Sequence, residues 1–228
     1  MTKGLAAIVA VLIGVSIASA SSIVQTENFN GTPNFLRTLT FDKFDDQGGA
    51  LTLQSISVSV LLNVQGGLLI LDNDGENPAS GSYEFGGKGD ISSTDVSLLN
   101  SLFQPVTAEV EALTTGSFSL GANVGDGAND FDPSAPDGMQ ISGTTQSDSD
   151  SGFIASALFS QYIGLSTFDI DVSVDQWSDF GGVSGIEWAV TPVTASGTVT
   201  IVYNYVPEPA TLGLLSIGGL AVLRRRRK

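Results

Sequence analysis

Along residues 168–175 the chain reads Phe168, Asp169, Ile170, Asp171, Val172, Ser173, Val174, Asp175, apolar and polar by turns. A period of two places successive side chains on opposite faces of an extended strand. Phe168, Ile170, Val172 and Val174 are therefore expected in a core, and the intervening aspartates in water. Ile56, Val58 and Val60 alternate with Ser55, Ser57 and Ser59 in the same way, and Val199, Ile201, Tyr203 and Tyr205 give a third strand. Weaker strand signals cover residues 36–44, 68–71, 82–85, 106–113, 117–120, 157–163 and 185–190. Clusters of Gly, Asn, Asp, Ser and Pro separate them at turn-like spacing. Together these predict an all-β fold, an antiparallel β-sandwich of jelly-roll-like or Ig-like kind, rather than alternating βα units. In residues 95–103, Val96, Leu98, Leu99 and Phe103 fit a short amphipathic helix about as well as a strand. Residues 142–152 are polar and glycine-rich and read as a flexible linker.

Both ends follow a different rule. Lys3, an apolar run over 5–17 and the small-x-small sequence Ala18-Ser19-Ala20 make the three-part pattern of a secretory signal peptide. Residues 1–20 are accordingly expected to form a signal helix, recognised by the secretion machinery and cut by signal peptidase after Ala20. At the other end Pro207-Glu208-Pro209 precedes an apolar stretch, 210–223, and then Arg224, Arg225, Arg226, Arg227 and Lys228. Fourteen residues rise about 21 Å as a helix, short of the roughly 30 Å of a bilayer core, so this transmembrane helix would span only marginally. The cations fix its orientation, because positive charge flanking a membrane segment stays cytoplasmic. Proline on both sides of Glu208 predicts that the preceding strand stops and leaves the tripeptide as an extended, accessible linker. This layout resembles the PEP-CTERM sorting signal. The resemblance implies that the segment holds the protein in the inner membrane and that a membrane protease, exosortase, processes the chain at the tripeptide. The expected organisation is a signal peptide over 1–20, one exported domain over 21–206 and a sorting signal over 207–228.

Charge sharpens the picture once the ends are set aside. The whole chain has nine cations and twenty-four acids, a net charge of −15. The portion left after removal of residues 1–20 and 210–228 keeps only Arg37, Lys43 and Lys88 against all twenty-four acids, a net −21. Nucleic acid is excluded as a partner, because a polyanion requires basic neutralisation. The chain has no cysteine and no histidine. Disulfides, Ser–His–Asp and Cys–His nucleophiles and the usual zinc sites are thereby removed. No catalytic residues are assigned, and the protein is expected not to be an enzyme.

Phe41-Asp42-Lys43-Phe44-Asp45, the Gly48-Gly49 turn, the strand from Leu51 to Val60 and the closing stretch Thr198 to Tyr205 carry a second resemblance. They are similar to the choice-of-anchor E domain, a β-rich exported module, and the match lies in core aromatics and turn glycines, which implies a fold rather than a chemistry. One cofactor is suggested by the residues: Asp72, Asp74 and Glu76 offer oxygens on a tight turn, and calcium takes six to eight of these. An EF-hand is not formed, since Tyr83 stands where the far acid of a twelve-residue loop belongs, and a hydrated loop is the alternative. Acidic stretches at 126–137 and at Asp148 and Asp150 read the same way. Asp169, Asp171, Asp175, Glu109 and Glu111 lie on wet faces of alternating segments. Trp177 and Trp188 are expected in the core; exposed on one concave surface, they would form a platform for sugar rings. The expectation is a non-catalytic envelope or extracellular-matrix protein of structural or adhesive role, with exopolysaccharide binding, helped by calcium, as the alternative.

Overall fold

A computed structural model describes residues 19–124 and 131–208. Ala18, Pro209, the stretch 210–223 and the basic end 224–228 lie outside the described residues, and so do the two segments expected to form flanking helices. Among the described residues, no helix is long and apolar enough to cross a membrane.

Among the described residues eleven strands follow one another: β1 (Ser21–Gly31), β2 (Phe35–Asp42), β3 (Leu51–Gln65), β4 (Leu68–Asn73), β5 (Ala79–Ser92), β6 (Val110–Leu120), β7 (Gly138–Ser142), β8 (Gln146–Phe153), β9 (Thr167–Asp179), β10 (Ile186–Val190) and β11 (Thr194–Pro207). All pairings between them are antiparallel. The back of the sandwich is the sheet β2-β9-β5-β6. The front is β1-β11-β3-β8, continued at one end by β10-β4-β7. Three strands of the front thus run on after a break at one level: β10 into β11, β3 into β4, β7 into β8. The break is stitched by Leu68 N–H to Thr191 Oγ1 at 2.8 Å, Thr191 N–H to Leu68 O at 2.9 Å and Gly143 N–H to Gly67 O at 2.9 Å. Gly67 has φ +79°, and a Cβ there would lie 2.6 Å from Val193 Cγ1, so the site requires glycine.

The strict alternations fill the larger core. Ile56, Val58, Val60, Phe168, Ile170, Val172, Val174, Val199, Ile201 and Tyr203 are all buried. Phe41 stacks on Phe168 at 5.9 Å, and Phe44 meets Tyr203 at 5.8 Å and Tyr205 at 5.4 Å. The F-D-x-F-D stretch therefore does packing work. The hydroxyl of Tyr162 donates to Ser97 O at 2.9 Å and that of Tyr203 to Asp42 O at 3.1 Å, and burial pushes both phenols well above the ordinary tyrosine range. Leu69, Leu71, Phe85, Phe118 and Leu120 form a second, smaller core under β10-β4-β7.

Several expectations are corrected. Residues 157–163, an apolar run read as a strand, carry a 3-10 helix, Ser156–Gln161; a short apolar run without period does not discriminate between the two. Residues 95–103 form neither helix nor strand but turns, with a bridge between Leu99 and Pro105. The two signals at 106–113 and 117–120 fall on the single strand β6. The supposed linker is β8, paired with β3 from Ser57↔Phe153 to Val64↔Gln146. Its inward positions hold Asp148 and Asp150, whose carboxylates accept from Glu111 N–H at 2.8 Å and Ala108 N–H at 2.5 Å. Charged side chains here satisfy open backbone groups at the margin of the back sheet, one way that sheet edges are managed. On the opposite side, the Gln25 amide donates to Asp42 O at 2.9 Å and accepts from Asp42 N–H at 2.8 Å, joining β1 to the end of β2.

Candidate functional site

The sorting tripeptide starts on a strand. β11 lies between β1 and β3, and its inward residues Val199, Ile201 and Tyr203 anchor it in the larger core. Between Asn204 and Tyr205 the register with β3 shifts, and beyond that bulge Tyr205 faces Leu53, Val206 faces Thr52 and Pro207 faces Leu51. Glu208 N–H then donates to Ala50 O at 2.8 Å. In an antiparallel ladder that bond makes Pro207 and Leu51 a non-hydrogen-bonded pair, so an N–H at position 207 would point away from β3. On that side β1 has already ended, with Ser21 opposite Tyr205. The missing N–H of Pro207 therefore deprives no partner, and proline is tolerated. The expectation that proline would stop the strand before the tripeptide is corrected on this ground: Pro207 belongs to β11. The Glu208 carboxylate also accepts a hydrogen bond from the Thr52 hydroxyl. Pro207 and Glu208 are exposed to solvent yet docked on the sheet; Pro209 lies outside the described residues.

The expected signal-peptide cleavage point sits beside it. Ser21 pairs with Tyr205 on the neighbouring strand, and Ala20 directly precedes it. Adjacent strands lie about 4.8 Å apart, so the chain enters and leaves the domain at one end, here termed the base. The loops after β5, after β8 and before β9 also end at the base, and they expose Leu102, Phe103 and Leu165.

The suggested calcium ligands are not brought together. Asp72, at the end of β4, is 1% exposed and accepts from Asp132 N–H at 2.8 Å. Asp74 gives its N–H to Gly185 O at 2.9 Å, and Glu76 is exposed. Among the described residues, no three His, Cys, Asp or Glu side chains converge on a point that could hold a metal. The residue that organises this end was missed in the sequence. Asn73 donates through Nδ2 to Asn77 O at 2.9 Å and Gly121 O at 2.6 Å, and its Oδ1 accepts from Gly75 N–H at 3.0 Å. Asp137, also buried, accepts from Val124 N–H at 2.8 Å. An asparagine before Asp-Gly signals a turn; its tie to residue 121 has no sequence signal.

Both tryptophans leave the core. Trp177 on β9 is 40% exposed and Trp188 on β10 is 53% exposed. They belong to different sheets and keep different company. Trp177 Nε1 donates to Glu84 at 2.8 Å, and Lys88 Nζ sits 3.9 Å from its ring centre. Lys88 also bonds Glu111 at 2.6 Å, and that hydrogen bond raises the lysine above its ordinary value. Trp188 packs on Phe180 at 4.7 Å and, with Phe131, Ile186, Glu187 and Ala189, lines an open cavity of about 410 Å³. The wet-face carboxylates Asp169 and Asp171 accept the hydroxyls of Thr40 and Thr38 at 2.7 and 2.6 Å.

Comparison with known proteins addresses the C-terminal end. Residues 206–228 match the PEP-CTERM protein-sorting motif. No curated protein matches the chain. Among solved structures it is similar to that of infectious bursal disease virus, Gx strain, at 12% identity and a TM-score of 0.19, covering 93% of this chain and 50% of that one. The VP2 subviral particle of the same virus gives 11% identity, a TM-score of 0.19 and coverage of 93% and 50%. The chain thus spans about half the length of those viral chains, at scores that do not establish a common fold.

Proposed function

We propose that this chain is an exported precursor, held in the inner membrane by residues 210–223 with Arg224 to Lys228 in the cytoplasm, and processed at Pro207-Glu208-Pro209 by an exosortase-type protease. The product is a non-catalytic β-sandwich of the choice-of-anchor E kind, delivered to the cell surface or extracellular matrix for a structural or adhesive role. The match at residues 206–228 carries this reading. The fold supports it, because Ser21 and Glu208 leave adjacent strands at one end. A domain of that shape can hang from one membrane by both segments before either is cut, and the exposed Leu102, Phe103 and Leu165 suit a base lying against lipid. A chain without histidine or cysteine also suits a non-catalytic role.

Fractionation of the producing cells, with mass spectrometry of the C-terminus of surface material, tests the reading. The surface form is expected to lack residues 210–228, and replacing Pro207, Glu208 and Pro209 with alanine is expected to leave a membrane-retained precursor. Intact Lys228 on surface material would overturn it.

A second reading, carbohydrate binding, is favoured by the exposure of Trp188 beside Phe131 and Glu187. Titration of the exported domain with uncharged exopolysaccharide, followed by tryptophan fluorescence and repeated for Trp188→Ala, separates the two roles. A response lost in the variant supports sugar binding, whereas an unchanged wild-type spectrum removes it.

A further inference from the structure

The tripeptide that the proposed protease must read is partly occupied by the domain it would release. Its one charged side chain, Glu208, accepts the Thr52 hydroxyl, and its backbone N–H is committed to Ala50 O at 2.8 Å. Pro207 is in register with Leu51. A protease that binds an extended substrate needs those same backbone groups for its own pairing, and an N–H already bonded to Ala50 cannot serve both. The hold is also local. Beyond Tyr205, β11 has β3 as its strand neighbour while β1 has ended, and Pro207 and Glu208 are exposed. Strand ends held this way open far more readily than a whole domain.

We propose that Thr52 and the Ala50 carbonyl form a latch that withholds Glu208 from processing until the end of β11 peels away from β3. Thr52 acts here as a positioning residue; it touches the motif and takes no part in bond cleavage. The proposal rests on the reading of Pro207-Glu208-Pro209 as the processing site. Its consequence is that the folded domain slows its own release, by a factor set by how often the last residues of β11 detach. A precursor whose β3–β11 pairing is incomplete is processed sooner than one whose sheet is complete to Glu208.

The test is pulse-chase of the full-length chain in the producing cells, following conversion of precursor to processed form. Thr52→Val keeps the shape and removes the hydroxyl. It is expected to speed conversion about two- to tenfold, the factor that one hydrogen bond governs. Thr52→Ser restores a donor and is expected to return the rate to that of the natural chain, an outcome that general destabilisation would not give. A four-residue Gly-Ser insertion after Val206 detaches the tripeptide without touching β3, and is expected to convert at least as fast as Thr52→Val. Conversion of both Thr52→Val and the insertion at or below the natural rate would overturn the latch. The triple alanine replacement of the motif keeps the two ideas apart. If it blocks processing while neither Thr52→Val nor the insertion speeds conversion, the latch alone falls; if it is processed normally, the sorting reading beneath it falls as well.

Discussion

The base and the far end of the sandwich are stabilised by different means. At the base, residues from β2, β3, β9 and β11 pack into one large apolar cluster, and polar side chains such as Gln25, Asp148 and Asp150 work at the margins, bonding backbone groups where one sheet meets the other. At the far end the apolar cluster shrinks to Leu69, Leu71, Phe85, Phe118 and Leu120, while Asp72, Asn73 and Asp137 are buried and spend their hydrogen bonds on loop backbone. Apolar burial is non-directional and tolerates many sequences. Buried polar groups must meet their partners or cost free energy. The base therefore has depth, and the far end has geometry. The functional assignment follows the same division, since Val206 to Glu208, the start of the sorting motif, and Ser21, where β1 begins, both lie at the base.

The largest expected effect lies in the base core. Ile170→Ala removes a fully buried side chain between the sheets and is expected to cost about 2–5 kcal/mol in urea melts of the exported portion. A loss under about 1 kcal/mol would mean that the base core is looser than its packing indicates. Alkaline pH addresses the same core. Tyr162 and Tyr203 are raised by burial, so above about pH 10 the unfolded chain releases protons that the folded chain retains. Stability is then complete below that pH and falls as pH rises, by about 1.4 kcal/mol per tyrosine for each pH unit until the folded state also ionises. Urea midpoints above pH 10 measure the slope, and Tyr162→Phe is expected to reduce it; equal slopes in the variant and the natural chain would contradict the burial.

Asn73→Ala probes the other end. It strands the carbonyls of Asn77 and Gly121 and frees Gly75 N–H, for an expected cost of about 1–3 kcal/mol. Hydrogen exchange is expected to rise in β4, β7 and β10 while β3 and β11 stay protected. Uniform loss of protection would show that the two ends unfold as one unit. The smallest effect is expected for Asp171→Asn, where an amide oxygen can still accept the Thr38 hydroxyl on an already acidic surface. A change within about 0.5 kcal/mol is expected; a loss larger than that of Ile170→Ala would reverse the assigned faces of β9.

Much of the base was legible because its strands alternate. β9, the middle of β3 and β11 place the expected residues inside, since a one-residue change of register would expose the whole apolar set. β1 escaped detection because almost all of it is exposed, so no period of two is written into Ser21–Gly31. β8 escaped because its inward residues include aspartates that bond backbone, and polar composition there imitates a linker. At the tripeptide, the identity of Pro207 and Glu208 was plain, whereas their attachment to Ala50 and Thr52 was not; nothing at positions 50 and 52 hints at a partner more than one hundred and fifty residues away.

By itself the sequence determined the all-β class, the faces of the main strands, the acidic surface and the C-terminal sorting motif, because periodicity, charge and local motifs are properties of neighbouring residues. Only the tertiary structure decided that the chain enters and leaves on adjacent strands, that Trp177 and Trp188 reach the surface, that Asp72 holds a loop, and that the sorting motif begins inside the sheet. Each of those depends on which strand lies beside which, and on the direction of single N–H and C=O groups once they do. That information arises in the pairing of distant segments and is not written in any one of them.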